Sequence, residues 1–399
     1  MATTETTTIS WGSRLGGSIK GVLVGLALFV IAFPLLFWNE GNVVRTKTAL
    51  SEGLGACVPL DSVSRVDSEM DGRLVHGSGF ADTKDVLSDP EFGISMVAIR
   101  LVRKVEMFQW EEDSQTTEKK KLGGSVEKTT SYSYRQVWSD RLIDSSSFHE
   151  TGHVNPIGMD FQSADQSASN VSLGAYVLNE DLIRRIGKMT NFTFPTNYVC
   201  PIARTKVSGG MVYVPNAETR NNPLNNRDVV AQPRVGDMRI TFRVVLPHEV
   251  SVIAKQRGNG FVSYTAKNGK KILLLSDGVR DMSEMFASAE RSSTLMCWIL
   301  RAVGFFLMYL GLSMVLRPLS VLADVLPFLG TIVEMGTSFL AGVIALCCSL
   351  VTIAIAWVFY RPLVAVALLA VVVVVLWRVK QRKEIASGSG NSSNERKEI

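Results

Sequence analysis

Hydrophobic positions along this chain are concentrated at its two ends, with a long stretch of ordinary polar and apolar alternation between them. The first run, Gly21 to Trp38, contains no charged residue. At ~1.5 Å per residue it covers roughly 27 Å as a helix, close to the hydrocarbon thickness of a bilayer. It is long for the core of a cleavable signal and ends in Pro34-Leu35-Leu36-Phe37-Trp38 without a small-residue cleavage pattern, so a retained first span over residues 20–38 is expected. The last hundred residues predict three more spans, at 295–316, 339–360 and 363–377. The third and fourth are separated only by Arg361-Pro362, where proline stops one helix and starts the next. Residues 317–338 are apolar but broken by Asp324, Pro327, Gly330 and Glu334, and are expected to form an interfacial or re-entrant segment. A full crossing there would invert the topology.

The intervening residues 39–294 carry the patterns of a folded α+β domain rich in strands. Large residues recur at every second position in Tyr132-Ser133-Tyr134-Arg135-Gln136-Val137-Trp138, and Ile240, Phe242 and Val244 alternate in the same way. Ser95 to Trp110 is rich in Val, Ile, Met and aromatics. Val250 to Ala254 and Ile272 to Leu275 flank a glycine-containing stretch, as in a hairpin or meander. Acidic, polar Glu111 to Gly124 predicts an exposed loop. Asn179, with Glu180 and Asp181 after it and Gly187 beyond, predicts a short capped helix, and Asp281 with Glu284 predicts the start of the helix that leads into the second span. The fold class is therefore a membrane protein of four transmembrane α-helices with a large, β-rich α+β domain between helices 1 and 2.

Charge sets the expected orientation. Arg378, Lys380, Arg382 and Lys383 follow the fourth span closely, whereas the hairpin turn carries only Arg361. An even number of crossings puts both ends on one side. The N-terminus (1–19) and the tail (378–399) are thus expected in the cytosol or nucleoplasm, and residues 39–294 in the lumen. Two sequons, at Asn170 and Asn191, fit that placement. The net charge of +5, without a dense basic run in the middle region, argues against a nucleic-acid partner.

Candidate chemistry is sparse. His149-Glu150-Thr151-Gly152-His153 matches the zinc-protease pattern H-E-x-x-H, which needs a helix to align the two imidazoles. Gly152 and the following Asn155-Pro156 work against one, so His149 and His153 read better as turn residues than as metal ligands with Glu150 as base. Cys57 and Cys200 are the cysteines of the middle region and could pair in an oxidising lumen. Arg301, near the start of the second span, is expected to snorkel to the interface in a structural role. Gly304 and Gly311 share one helical face and allow close helix packing. No phosphate-loop, G-x-S-x-G or Cys-x-x-Cys signature is present. No catalytic residue, cofactor or metal is expected.

Several ordered blocks carry a family resemblance: Asn39-Glu40-Gly41, Gly72-Arg73-Leu74-Val75-His76, Leu87-Ser88-Asp89-Pro90, Val105-Glu106-Met107-Phe108-Gln109-Trp110, Val235-Gly236-Asp237, Val252 to Gly258, and Phe359-Tyr360-Arg361-Pro362-Leu363. With Arg301, Gly304, Met308 and Gly311 in the membrane part, the chain resembles the LUMA family, also called transmembrane protein 43. That resemblance implies a non-enzymatic four-span scaffold of the inner nuclear membrane and endoplasmic reticulum. It implies self-association in the lipid bilayer and contact with lamin- and emerin-like proteins. His153 belongs to the family pattern and His149 does not. The readings from other classes are a lumenal metal-dependent hydrolase built on His149, Glu150 and His153, and a channel or channel modulator.

Overall fold

A computed structural model describes residues 3–222, 227–361 and 378. The expected fourth helix, 363–377, and the tail beyond Arg378 lie outside the described residues. The chain divides into two units. One holds residues 3–9, 48–121 and 125–291; the other holds 10–47, 122–124 and the described part from 292 onward.

The first unit is built on strands β1 (Thr3–Ile9), β2 (Leu74–Thr83), β3 (Arg100–Lys120), β4 (Val126–Ser139), β5 (Met238–Val245) and β6 (His248–Arg257), with shorter strands between them. β1, β4, β3 and β5 lie side by side in that order, and Met211–Val214 and Lys206–Ser208 extend the sheet beyond β5. The first half of β3 alternates buried and half-buried positions, and Leu101, Val105 and Met107 point into a core with Phe92, Val212, Ile240 and Phe242. Two alternate buried positions are polar, and both are fully engaged. Arg103 donates to both carboxylate oxygens of Asp89, at 3.0 and 2.9 Å. Gln109 donates to the Arg141 carbonyl at 2.9 Å and accepts from the Ile143 amide at 2.8 Å. Hydrogen-bonded burial of this kind lets a polar residue occupy a core position.

The second sheet closes on itself. β6 pairs with β2 and with Gly260–Val262, and the ring returns to β2 through Tyr176–Leu178 and Val171–Leu173. Val75, Leu173, Tyr176, Leu178, Val250, Val252 and Phe261 fill this small barrel. Closure removes the free edges that such short strands would otherwise expose. The predicted meander over 250–275 is thus part of a barrel, with Leu274–Asp277 paired antiparallel to β6 on the edge opposite β2. The Asn179 cap is present: its side chain accepts from the Leu182 amide at 3.0 Å over the short helix Glu180–Ile183.

Residues 111–120 correct the expected loop. They continue β3, paired with β4 out to Lys120 opposite Val126. Neither face of this far half is buried, so the period-two hydrophobic signal of a strand has no reason to appear there.

The apolar segments form three long helices: α1 (Trp11–Ala56), α2 (Met282–Ala323) and α3 (Pro327–Tyr360). Each is long and apolar enough to cross a membrane. All three continue beyond the predicted spans. Residues 317–338 are the end of α2, a turn at 324–326 and the start of α3. The turn is held by Arg14, which donates to Asp324 Oδ2 at 2.5 Å, and by Trp11, whose ring N–H donates to the Val321 carbonyl at 2.8 Å. Outside the helical unit, the last turns of α1 and the first of α2 contribute Ala49, Leu50, Met285 and Phe286 to a core with Leu74 and Ile253.

Candidate functional site

Within the helical unit, α1 and α2 run antiparallel with their backbones close. A Cβ on Gly25 would lie 2.6 Å from the Gly311 carbonyl oxygen, and one on Gly311 would lie 2.8 Å from the Phe29 nitrogen. A Cβ on Gly304 would run into Leu36. Ala32, Leu36, Met308 and Ala345 are buried at the centre, with Phe29, Phe33 and Phe305 packed against them.

Beside that core lies a buried polar cluster. Glu40, only 1 % exposed, accepts from Arg301 Nε at 2.6 Å on one carboxylate oxygen. Its other oxygen accepts from Arg301 Nη2 at 2.8 Å and from the Trp357 indole N–H at 2.9 Å. The bidentate fork uses the planar geometry that distinguishes arginine from lysine. The Arg301 guanidinium also lies 4.6 Å from the Trp298 ring centroid, and cation–π attraction gains strength where water is excluded. Next in sequence, Asn39 donates to the Cys297 carbonyl at 3.1 Å. Gly41 faces the Tyr360 ring, which leaves no room for a side chain there. One cluster therefore ties α1, α2 and α3 together.

Arg301, expected to reach the interface in a structural role, turns to the Glu40 carboxylate of the neighbouring helix. Glu40 was outside the predicted span by two residues, so nothing in local hydropathy marked it as a partner. The signal that could have found it is the pairing of a lone span arginine with an acidic residue at a span exit.

The other candidate residues are dispersed. His149 lies in a bend and His153 in irregular backbone, not on one helix. The His149 ring stacks on Tyr132 at 4.2 Å, and the His153 ring stacks on Tyr134 at 4.0 Å with Trp110 edge-on at 4.5 Å. Glu150 accepts from the Thr3 hydroxyl of β1 and lies 3.7 Å from His153 Nδ1. Among the described residues no group of three or more His, Cys, Asp or Glu could hold a metal ion. Cys57 and Cys200 are both free thiols and belong to different hydrophobic clusters. Burial pushes the Cys57 thiol up to about 11. Asn170 and Asn191 are both exposed, and the Asn170 amide donates to Asp85 at 3.2 Å.

The helices, the β-rich unit between the first two of them and the Glu40–Arg301 junction can be set against known proteins. The family model described as transmembrane protein 43 matches residues 107–362. The chain belongs to the transmembrane protein 43 family. Transmembrane protein 43 of Homo sapiens is 35 % identical over 380 residues, which is 92 % of each chain. The Mus musculus protein is 35 % identical over 383 residues, also 92 % of each. A Drosophila melanogaster homologue is 31 % identical over 361 residues, covering 87 % of this chain and 90 % of its own. No solved structure matches this chain. Members of this family are named as transmembrane proteins, and three apolar helices make this one a membrane protein.

Proposed function

We propose that this transmembrane protein 43 relative is a non-enzymatic scaffold of the inner nuclear membrane and endoplasmic reticulum. It crosses the bilayer four times, self-associates and organises envelope protein complexes. Both ends lie in the cytosol or nucleoplasm, with residues 39–294 in the lumen. The observation that carries this reading is the use made of a carboxylate buried between the helices. Both oxygens of Glu40 are occupied by side chains of α2 and α3, which suits a pin between helices. A proton relay would leave such a carboxylate facing a cavity or a second acidic group. Lamin- and emerin-like proteins are the partners proposed from the family resemblance. Proximity labelling tests the reading. A labelling enzyme on the β-rich unit should mark lumenal envelope proteins, and one on the tail should mark nucleoplasmic ones. Reversal of the two sets refutes the topology, and a monomeric mass for the purified full chain refutes self-association.

A further inference from the structure

Within the helical unit, the seam between α1 and α2 has two flanks. Gly21, Gly25, Ala32 and Leu36 of α1 meet Gly304, Met308, Gly311 and Met314 of α2. α3 covers the flank formed by positions just after seam residues. Phe37, next to Leu36, lies 5.6 Å from the Phe359 ring and 5.2 Å from the Tyr360 ring. Tyr309, next to Met308, faces Gly342, where a Cβ would lie 3.8 Å from its ring. Positions just before seam residues form the other flank. In antiparallel helices they fall on one side of the pair, since each residue turns by the same ~100° about oppositely directed axes.

On that second flank α1 presents Lys20, Val24 and Ile31, directly before Gly21, Gly25 and Ala32. α2 presents Val303 and Leu310, directly before Gly304 and Gly311, and Arg317 two turns beyond Leu310. All six are exposed. Gly25 faces Gly311, so Lys20 and Arg317 stand at about one level on neighbouring helices. Glu40 lies roughly 30 Å further along α1 at ~1.5 Å per residue, one hydrocarbon thickness away. The two cations therefore sit at the headgroup level of one leaflet. Below them the apolar strip continues to Ile31, roughly 16 Å down α1, about half of a ~30 Å core. No acidic residue occurs in α1 from Trp11 to Asn39 or in α2 from Ser292 to Ala323. Arg14 is engaged by Asp324. Among the described residues, neither Lys20 nor Arg317 has an ion-pair partner.

We propose that this flank binds an anionic phospholipid, with its phosphate between Lys20 and Arg317 and an acyl chain along Val24, Ile31, Leu310 and Val303. The inference rests on the reading above that α1 and α2 span the bilayer. Two like charges at one level repel unless an anion lies between them, the more so where water is scarce. Basic side chains at a span end lay their stems on apolar surface and carry the charge to the headgroups. Arginine offers phosphate a planar fork and lysine a point charge. The apolar strip favours a lipid over a free anion, which would leave it uncovered. A second copy presenting the same flank would bring four cations face to face.

The test is native mass spectrometry of the full-length chain in detergent, titrated with phosphatidylserine or phosphatidylcholine. The wild-type chain should prefer phosphatidylserine. Lys20→Gln and Arg317→Gln should each lower that preference roughly fivefold, and the double variant roughly twenty-five-fold. Lys20→Arg should keep it, as should Arg184→Gln, which removes an exposed cation of the β-rich unit. An unchanged preference in the double variant overturns the inference, and so does displacement of the lipid by inorganic phosphate at equal concentration. A photo-crosslinking side chain at Val24 or Leu310 should capture acyl chains in vesicles. Capture of a second copy instead overturns the lipid as occupant. Failure to capture lipid at either position refutes the spans themselves, whereas lipid capture without anionic preference refutes the headgroup site alone.

Discussion

Removing the Arg301 guanidinium leaves the Glu40 carboxylate, 1 % exposed, without two of its four hydrogen bonds, the others coming from the Trp357 indole and the Cys297 thiol. Breaking a buried pair from one side destabilises by roughly 3–5 kcal/mol, because an uncompensated charge stays behind. Arg301→Met should therefore lower the unfolding midpoint of the purified full chain in detergent substantially. Glu40→Gln should do the same from the other side, although glutamine keeps an oxygen for the Trp357 indole. Combined, Glu40→Gln and Arg301→Met leave no ionised group in the cluster, and neutral replacements of buried pairs are often close to harmless. The double variant should thus be more stable than Arg301→Met alone, a strongly non-additive result. The assay is a double-mutant cycle on denaturant unfolding followed by tryptophan fluorescence, since Trp298 and Trp357 flank the guanidinium. Additivity within ~0.5 kcal/mol would refute the coupling. Single-variant losses below ~1 kcal/mol would show a pair as weak as an exposed one.

Gly311→Leu should destabilise the helical unit by roughly 1–3 kcal/mol through overpacking against Gly25 and Phe29, measured by the same unfolding assay, whereas exposed Gly336 should accept leucine without loss. At Glu106, burial raises the carboxyl, but hydrogen bonds from Arg239 at 2.7 Å and Lys104 at 3.1 Å outweigh it and hold the group below its ordinary value. A lowered folded value means the stabilisation is present above the unfolded carboxyl range and is lost as pH falls through the folded value, so Glu106→Gln should flatten the acid arm of a melting-temperature profile. Cys57, with its thiol raised to about 11 by burial, should resist iodoacetamide at pH 8 in the native chain and react on unfolding, as read by mass spectrometry. Rapid native alkylation would contradict its placement in the core with Leu74 and Ile253.

What was legible along the chain is what burial imprints locally. Ile240, Phe242 and Val244 alternate because one face of β5 is covered, and all three are buried as the period implies. The apolar runs of α1, α2 and α3 stand out for the same reason, since most of their outward residues need an apolar surrounding. The far half of β3 left no such imprint. Its strand state is set by register with β4, and both its faces are polar. The barrel was illegible for another reason: Val171–Leu173, Tyr176–Leu178 and Gly260–Val262 are three residues each, too short for any periodicity to register.

The polar cluster shows the sharper limit. Arg301 and Glu40 lie 261 positions apart, and each alone has an ordinary explanation, a cation near a span start and an acid just past a span exit. Hydropathy ranks residues one at a time, whereas a buried ion pair is a property of two. The Glu40 carboxylate is tolerable only because Arg301 and Trp357 arrive from other helices. Arg301 is in turn placed by close packing at Gly25, Gly304 and Gly311, where the absence of a side chain lets α1 and α2 meet. The small residues and the charged pair are therefore one device: the glycines set the distance at which the guanidinium can reach the carboxylate. Enlarging Gly304 should weaken the ion pair without touching either charged residue.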